Sequence, residues 1–359
     1  MGRAIHQLVI GASEGDAITS MALKIREALR RHVDSEIYAR WVFSESLKDD
    51  VLLLDELPPS RSTALLVYHS SYGLPMVTNI LVNRAEPLAL VFHNFTPWQT
   101  YLRWNPDFAL GLEWGHKELR MIRTQVVKTI SDSAYSIAEL IEAGYDDIDV
   151  LPMGVDLERL TAEPIDSARS RNLSESYPDG YVLAVSQILH HKRIEQVIET
   201  VHFCNLIHGT NLGLLIVGVS RQPAYLQAVR KHSESLPRVK AQLLGSVSRR
   251  ELATLYRGAR AFISMSDHEG LGIPPLEAMA FGVPVVAKGA GALPETIGDA
   301  GLVLPANASP ALAAEALFEV ISNEETRASL VSAGLARVAQ MQDLSSHERA
   351  AEVLLRASR

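Results

Sequence analysis

Asp267-His-Glu-Gly-Leu-Gly-Ile-Pro-Pro-Leu-Glu-Ala-Met-Ala-Phe-Gly-Val-Pro-Val-Val-Ala287 is the most informative stretch of the chain. An apolar run, Ala259–Met265, precedes it and reads as a strand. Gly270 and Gly272 then let the backbone approach a ligand closely. Pro274 and Pro275 suit a first helical turn. Amide groups at such a helix start attract an anion, and a diphosphate is a natural guest. Glu269 lies in the turn. The same reading puts Glu277 in the first helical turn, where a carboxylate is also favoured by the helix dipole alone.

Strand and helix patterns alternate on both sides of this stretch. Tyr181–Gln187, Leu212–Gly218, Val239–Gly245, Ala259–Met265, Pro284–Ala287 and Gly301–Leu304 read as strands. Lys192–Ile207 has helical spacing, and further helices start at Pro223, Arg249 and Pro274. Helices near Pro310–Ile321, Glu325–Ala339 and Ser346–Ala357 complete the chain. This order predicts an open, doubly wound parallel sheet, whose ligands sit at the carboxyl ends of strands.

The first half is less regular. Gln7–Gly11, Ala64–His69 and Leu88–His93 read as strands, Ala17–Arg31 and Lys117–Thr129 as helices. Leu157–Pro178 is polar and aperiodic and is read as the domain boundary. The expected domains are 1–165 and 166–341, with a helix over 342–359 that can return to the first. The positions to inspect are the strand ends Gly11–Asp16, His69–Gly73, His93–Trp98, Gln187–Lys192 and Ser264–Glu277.

Composition narrows the function. The 359 residues suit two domains, and 47% apolar against 21% charged residues is ordinary globular chemistry. A net charge of −8 argues against general nucleic-acid binding. Cys204 is the single cysteine, which excludes an internal disulfide and a cysteine metal cluster. No run approaches the roughly 20 apolar residues of a membrane span, and Leu8–Ala12 is too short for a signal-peptide core. These features predict a cytoplasmic protein, with a peripheral contact at the inner membrane face compatible with them.

Glu269 and Glu277, seven residues apart within Glu-Gly-x-Gly-x-Pro-x-x-Glu-Ala-Met-Ala-x-Gly-x-Pro-Val-Val-Ala, resemble the E-x(7)-E signature of family 4 retaining glycosyltransferases. Further elements follow in order. Gly15-Asp16-Ala17 resembles the N-terminal glycine loop, Phe92-His93-Asn94 the strand-end histidine, and Ser131-Asp132-Ser133 the Ser-x-Ser turn. Leu151 to Asp156 resembles the domain-closing Pro-x-Gly-Val-Asp, and Gly291 to Glu295 a motif downstream of the two glutamates. The resemblance implies the GT-B fold: two facing Rossmann-like, doubly wound parallel-sheet domains with the active site in a cleft.

It also implies roles. Glu269 would hold the donor sugar's hydroxyls and Glu277 the ribose. Lys192 and the backbone at Leu271, Gly272 and Ile273 would hold the diphosphate. Ser246 and Val247, in the loop after Gly245, would contact the base. The Gly15 loop would approach the diphosphate, and His93 would stand beside the donor sugar. Asp16, His69 and Trp98 fall on the acceptor side. The family reads Gly-Arg-x-x-x-x-Lys where this chain has Ser186-Gln187-Ile188-Leu189-His190-His191-Lys192. Lys192 is in place, Gln187 replaces the arginine, and Arg193 is a candidate substitute.

The implied reaction is a retaining transfer from a nucleotide-diphosphate sugar, a UDP- or GDP-sugar being the expected donor. The acceptor is a saccharide, lipid-linked or small-molecule hydroxyl. No metal or other cofactor is expected, since the sugar nucleotide is a substrate. Asp147 and Asp149 have metal-ligand spacing but read as a solvated loop, and the aromatics Trp98, Tyr101, Trp104 and Trp114 read first as core. Rival readings are a sugar-nucleotide epimerase, a sugar phosphorylase, or a non-catalytic nucleotide-sugar-binding subunit.

Overall fold

In the computed structural model, the structure describes residues 4–60, 64–152, 157–344 and 347–359. It divides into two compact units, Met1–Val155 with Gln342–Arg359, and Asp156–Met341. Met153 to Asp156, most of the Pro-x-Gly-Val-Asp motif, lie outside the described residues.

The first unit runs β1 (Ile5–Ala12), α1 (Ala17–Leu29), β2 (Ile37–Val42), β3 (Leu52–Leu53), β4 (Leu65–Ser70), α2 (Pro75–Val82), β5 (Leu88–Phe92), α3 (Pro106–Ile122), β6 (Val126–Ser131), α4 (Ile137–Glu142) and β7 (Ile148–Val150). Its sheet has the order β3-β2-β1-β4-β5-β6-β7, and the paired strands are parallel. Both faces are covered, which is why β5 is apolar throughout and β4 is apolar from Leu65 to Val67 and aromatic at Tyr68. Leu66 and Tyr68, with Leu88, Leu90 and Phe92, pack on one face with residues of α2 and α3. Leu65 and Val67, with Ala89 and Val91, pack on the other with Met21 and Ile25 of α1.

The second unit runs α5 (Leu157–Thr161), α6 (Ser167–Ser176), β8 (Tyr181–Val185), α7 (Ile194–His208), β9 (Gly213–Val217), α8 (Pro223–Glu234), β10 (Lys240–Gly245), α9 (Arg249–Gly258), β11 (Ala261–Ser264), α10 (Ile273–Ala280), β12 (Val285–Lys288), α11 (Leu293–Ile297), β13 (Leu302–Leu304), α12 (Pro310–Ser322) and α13 (Glu324–Leu344). Its parallel sheet has the order β10-β9-β8-β11-β12-β13, the doubly wound arrangement. The last helix, α14 (His347–Ala357), belongs to the first unit. Ala350, Ala351 and Leu354 bury against the α1 face of that sheet.

Three local expectations are corrected. Lys117–Thr129 is not one helix: α3 ends at Ile122, and the β-branched run Val126-Val-Lys-Thr-Ile130 continues as strand β6. Leu157–Pro178 is not irregular but carries α5 and α6, the latter capped by Asp166, which accepts from the Arg169 amide. Asp147-Ile148-Asp149 is not a free loop. Ile148–Val150 is an edge strand, and Lys128 Nζ pairs with Asp147 at 2.8 Å and Asp149 at 3.3 Å. No cluster of three metal-ligating side chains occurs among the described residues. No helix among them is long and apolar enough to cross a membrane.

Candidate functional site

In the second unit, β11 stops at Ser264 and the chain turns before α10. Ser266 Oγ donates to Glu269 Oε1 at 2.7 Å, and Lys192 Nζ pairs with Glu269 Oε2 at 2.7 Å. Each carboxylate oxygen thus has a fixed partner, and both charged side chains are about five-sixths buried, at 15% and 16% exposure. The Glu269 backbone is held as well. Ala292 N donates to Glu269 O at 2.9 Å, and Gly291 sits against that carbonyl at φ +61°. The Gly291–Glu295 motif is therefore a backbone clamp on the Glu269 turn.

Lys192 closes a short 3-10 turn, His190–Lys192, and Arg193 follows at φ +50°, a left-handed conformation unusual for a side-chain-bearing residue. The Arg193 guanidinium pairs with Asp267 through Nε and reaches Glu195 at 3.4 Å. Asp267 also binds buried Lys288 from the end of β12. Arg193 is thus committed to carboxylates of its own unit. Gln187 is exposed just beyond β8. Replacing it with arginine adds a cation where no charge now stands. Charge-assisted hydrogen bonds contribute about 1.5–3 kcal/mol against about 0.5–1.5 for neutral ones. Gln187→Arg should therefore tighten nucleoside diphosphate binding by roughly five- to tenfold, about 1 kcal/mol. Calorimetry decides it: unchanged affinity means the side chain does not face the phosphates.

α10 begins at Ile273, after Gly272 at φ +91°. Glu277 is then the fifth helical residue, not one of the first turn as its spacing from Pro274 suggested. Its carboxylate accepts from Tyr256 Oη at 2.7 Å. Burial raises the Glu277 carboxyl and raises the Tyr256 phenol well above its ordinary value. Pro274 and Pro275 have no amide hydrogen, so an anion at this helix start must use the amides of Leu271, Gly272 and Ile273. Ser246 is exposed and Val247 partly buried in the bend after β10.

Two buried histidines flank Lys192. Burial, then the Lys192 charge, lowers His191 to about 2 and His268 to about 4. Both stay neutral in the fold but take a proton near pH 6.5 when unfolded. Between pH 6.5 and 4 the unfolded chain thus binds more protons, so stability rises with pH and falls on acidification. Each fully neutral histidine contributes a slope of up to about 1.4 kcal/mol per pH unit there. The urea midpoint should drop from pH 6.5 to 4.5, and less so in His268→Gln. A midpoint flat across that range would contradict the burial of neutral rings.

In the first unit, His93 directly follows β5. His93 Nδ1 meets Asp132 Oδ2 at 2.7 Å, and His93 Nε2 meets His69 Nδ1 at 3.0 Å. His69 Nε2 meets Gln7 Oε1 at 2.9 Å, and Gln7 Nε2 donates to Ala22 O at 2.9 Å. His69 is fully buried, which pushes its ring well below the ordinary histidine range. Asn94 follows at φ +65° and donates to Glu139, which also holds His116 Nδ1 at 2.9 Å.

The other first-unit candidates have structural duties. Asp16 caps α1, accepting from Thr19 N at 2.8 Å and Thr19 Oγ1 at 2.9 Å. Gly15 is exposed at φ +76° in the turn before it. Trp98 packs against the core with buried Tyr101, and Trp114 donates to Thr78 Oγ1 at 2.8 Å, in keeping with core aromatics. Sequence reading had passed over Ser266, Tyr256, Lys288, Gln7 and the carboxylate role of Asp132. Lys288 had one available signal: a charged residue directly after the apolar run Val285-Val-Ala287, at a strand's ligand-facing end.

Residues 168–337 match the glycosyl transferases group 1 family. The O-antigen chain mannosyltransferase B of Escherichia coli is 42% identical over 97 residues, 27% of this chain and 25% of that protein. The D-inositol 3-phosphate glycosyltransferase of Frankia alni is 29% identical over 236 residues, 63% of this chain and 57% of that protein. A GDP-mannose-dependent monoacylated alpha-(1-6)-phosphatidylinositol monomannoside mannosyltransferase of Corynebacterium glutamicum is 29% identical over 239 residues, 63% and 61% of the two. The matched stretches thus span from a quarter to about three fifths of these relatives. Among solved structures, Anabaena HepE with UDP and glucose superposes with a TM-score of 0.76 at 16% identity, covering 99% and 100% of the two chains. WaaG, a glycosyltransferase of lipopolysaccharide biosynthesis, gives 0.71 at 16%, covering 97% and 99%. These likenesses give the chain the GT-B fold, and its second unit carries a glycosyl transferases group 1 domain.

Proposed function

We propose that the chain is a glycosyltransferase that moves a sugar from a nucleotide-diphosphate sugar to an acceptor hydroxyl, with retention of configuration. The observation that carries this reading is the Lys192–Glu269 pair beside the start of α10. A cation and a hydroxyl-binding carboxylate hold each other until a ligand offers both a phosphate and a sugar. Lys192 then turns to the diphosphate with the amides of Leu271, Gly272 and Ile273. Glu269 turns to the sugar hydroxyls, and Glu277, aimed by Tyr256, to the ribose. Ser246 and Val247 take the base.

The leaving group is a nucleoside diphosphate, so the main catalytic task is to stabilise its developing charge, which fixed donors do well in a dry site. The Escherichia coli and Corynebacterium relatives are mannosyltransferases by name, which favours a GDP-mannose donor; HepE with UDP keeps UDP-sugars as the second choice. A saccharide or lipid-linked acceptor is the matching partner. Incubation with UDP-, GDP-, ADP- and TDP-sugars should release one nucleoside diphosphate slowly without acceptor, and that nucleotide should raise the melting temperature. If no donor is hydrolysed and no nucleotide stabilises the fold, the reading fails. Transfer should also persist in excess EDTA, because Lys192 and backbone amides supply the phosphate contacts. Activity lost on chelation and restored by Mn²⁺ or Mg²⁺ would overturn the metal-free scheme.

A further inference from the structure

Gln7, His69 and His93 come from β1, β4 and the end of β5, three strands adjacent in the sheet, and Asp132 directly follows the next, β6. Their hydrogen bonds form one buried line, and its two ends have fixed polarity. At one end, Gln7 Nε2 donates to the Ala22 carbonyl, which leaves Gln7 Oε1 as the acceptor facing His69. His69 Nε2 must therefore carry a hydrogen. At the other end, the Asp132 carboxylate accepts, so His93 Nδ1 must carry one. Between the rings, His93 Nε2 and His69 Nδ1 lie 3.0 Å apart and need one hydrogen between them. Three hydrogens are thus required on four ring nitrogens, whereas two neutral imidazoles supply two.

We infer that the Asp132–His93–His69–Gln7 line holds one proton beyond two neutral rings, and that His93 carries it as an imidazolium against Asp132. Its location follows from the surroundings. Asp132 faces His93 from the end of β6 and is, among the described residues, the one carboxylate bonded to either ring, whereas His69 is fully buried and its other partner is an uncharged amide. Burial drives His69 further toward the neutral form. The nearby Glu139 accepts from Asn94 and pairs with His116, not with the His93 ring. If the extra proton were missing, two acceptors would face each other in a buried line, at the usual cost of an unsatisfied polar group.

His93 then has no ring lone pair. It cannot take a proton from an acceptor hydroxyl and acts instead as a fixed charge at the carboxyl end of β5, where sheets of this type bind ligands. Asp132, His69 and Gln7 are positioning residues for that charge. Only this catalytic consequence rests on the proposed transfer; the proton count does not.

The test is ¹⁵N-histidine NMR of the unliganded full chain at pH 7.5, which reads protonation of each ring nitrogen. His93 should show two ring N–H groups and His69 one, on Nε2. Asp132→Asn should remove one proton from the pair, because the new amide can donate to His93 Nδ1 and satisfy the line with two neutral rings. His69→Gln, which offers an acceptor toward His93 and a donor toward Gln7, should leave both protons on His93. One ring proton on His93 in the natural chain overturns the inference, as does an unchanged pair in a folded Asp132→Asn. Should Asp132→Asn fail to fold, the natural chain and His69→Gln still decide. Since no turnover is measured, a failure of the proposed transferase activity leaves this result independent.

Discussion

Glu269→Ala should lower the transfer rate by about 10²–10³-fold, the usual loss when one fixed hydrogen-bonding group is removed from a site that stabilises a transition state. The same change should not weaken nucleoside diphosphate binding. In the ligand-free protein, Glu269 neutralises Lys192 at 2.7 Å, so a diphosphate must displace it. Without Glu269 that displacement disappears, and affinity for the free diphosphate should hold or rise. The ligand-free variant should itself be less stable, by about 3–5 kcal/mol, since Lys192 is left largely buried without its carboxylate. Added nucleotide should restore part of that loss. Glu277→Ala is the contrast: it should weaken the diphosphate by about 1–3 kcal/mol through the lost ribose contact. Titration calorimetry of both variants separates the roles. Equal loss of nucleotide affinity in the two would refute the assignment of Glu269 to the sugar.

The partners that make this prediction specific were not all legible in the sequence. Glu269, Glu277 and Lys192 stand in motifs with fixed local spacing. Ser266, three residues from Glu269, was within reach of the same reading. Tyr256 was not, because it comes from α9 and meets Glu277 only through the packing of α9 against the α10 start. The proton line is the extreme case. Gln7, His69, His93 and Asp132 are spread over 126 positions, and only the strand order β1-β4-β5-β6 makes them neighbours.

The fold divides in the same way. Strands buried on both faces read directly: β5 and β9 are continuous apolar runs, and β4 and β12 are apolar up to their polar last residues. β2, Ile37-Tyr-Ala-Arg-Trp-Val42, carries an arginine and an exposed tryptophan, which broke the run. β6 begins on a partly exposed stretch, and its Lys128 continues the cationic spacing of Lys117 and Arg120 on α3 and Arg123 just after it. The helical period of the sequence therefore runs on across a real helix end. Reading Glu277 as a first-turn residue was a smaller error of the same kind. Pro274 marks the second helical position, not the first, and that offset moves the carboxylate back over Tyr256.

Gly291→Ala should disable the site from the backbone side. Gly291 adopts φ +61°, a conformation that costs a side-chain-bearing residue about 1–2 kcal/mol. A Cβ there would also lie 2.2 Å from Glu269 O and 2.7 Å from Glu269 N. Both are backbone atoms, so no rotamer change can relieve the contact, and the Glu269 turn must move. Its hydrogen bond from Ala292 N goes with it. The total cost should be about 2–4 kcal/mol, a drop of roughly 5–15 °C in melting temperature for a unit of this size. Gly209→Ala separates the two contributions. Gly209 ends α7 at φ +68° with nothing within 4 Å of an added Cβ, so it carries the backbone strain without the collision. That variant should lose about 1 kcal/mol and keep its transfer rate. Gly291→Ala should lose more stability and, through the displaced Glu269 carboxylate, about 10²-fold or more in rate. Equal melting temperatures in the two variants would mean the collision is absorbed elsewhere. A Gly291→Ala protein with full activity would mean that the Gly291 loop does not position Glu269 at all.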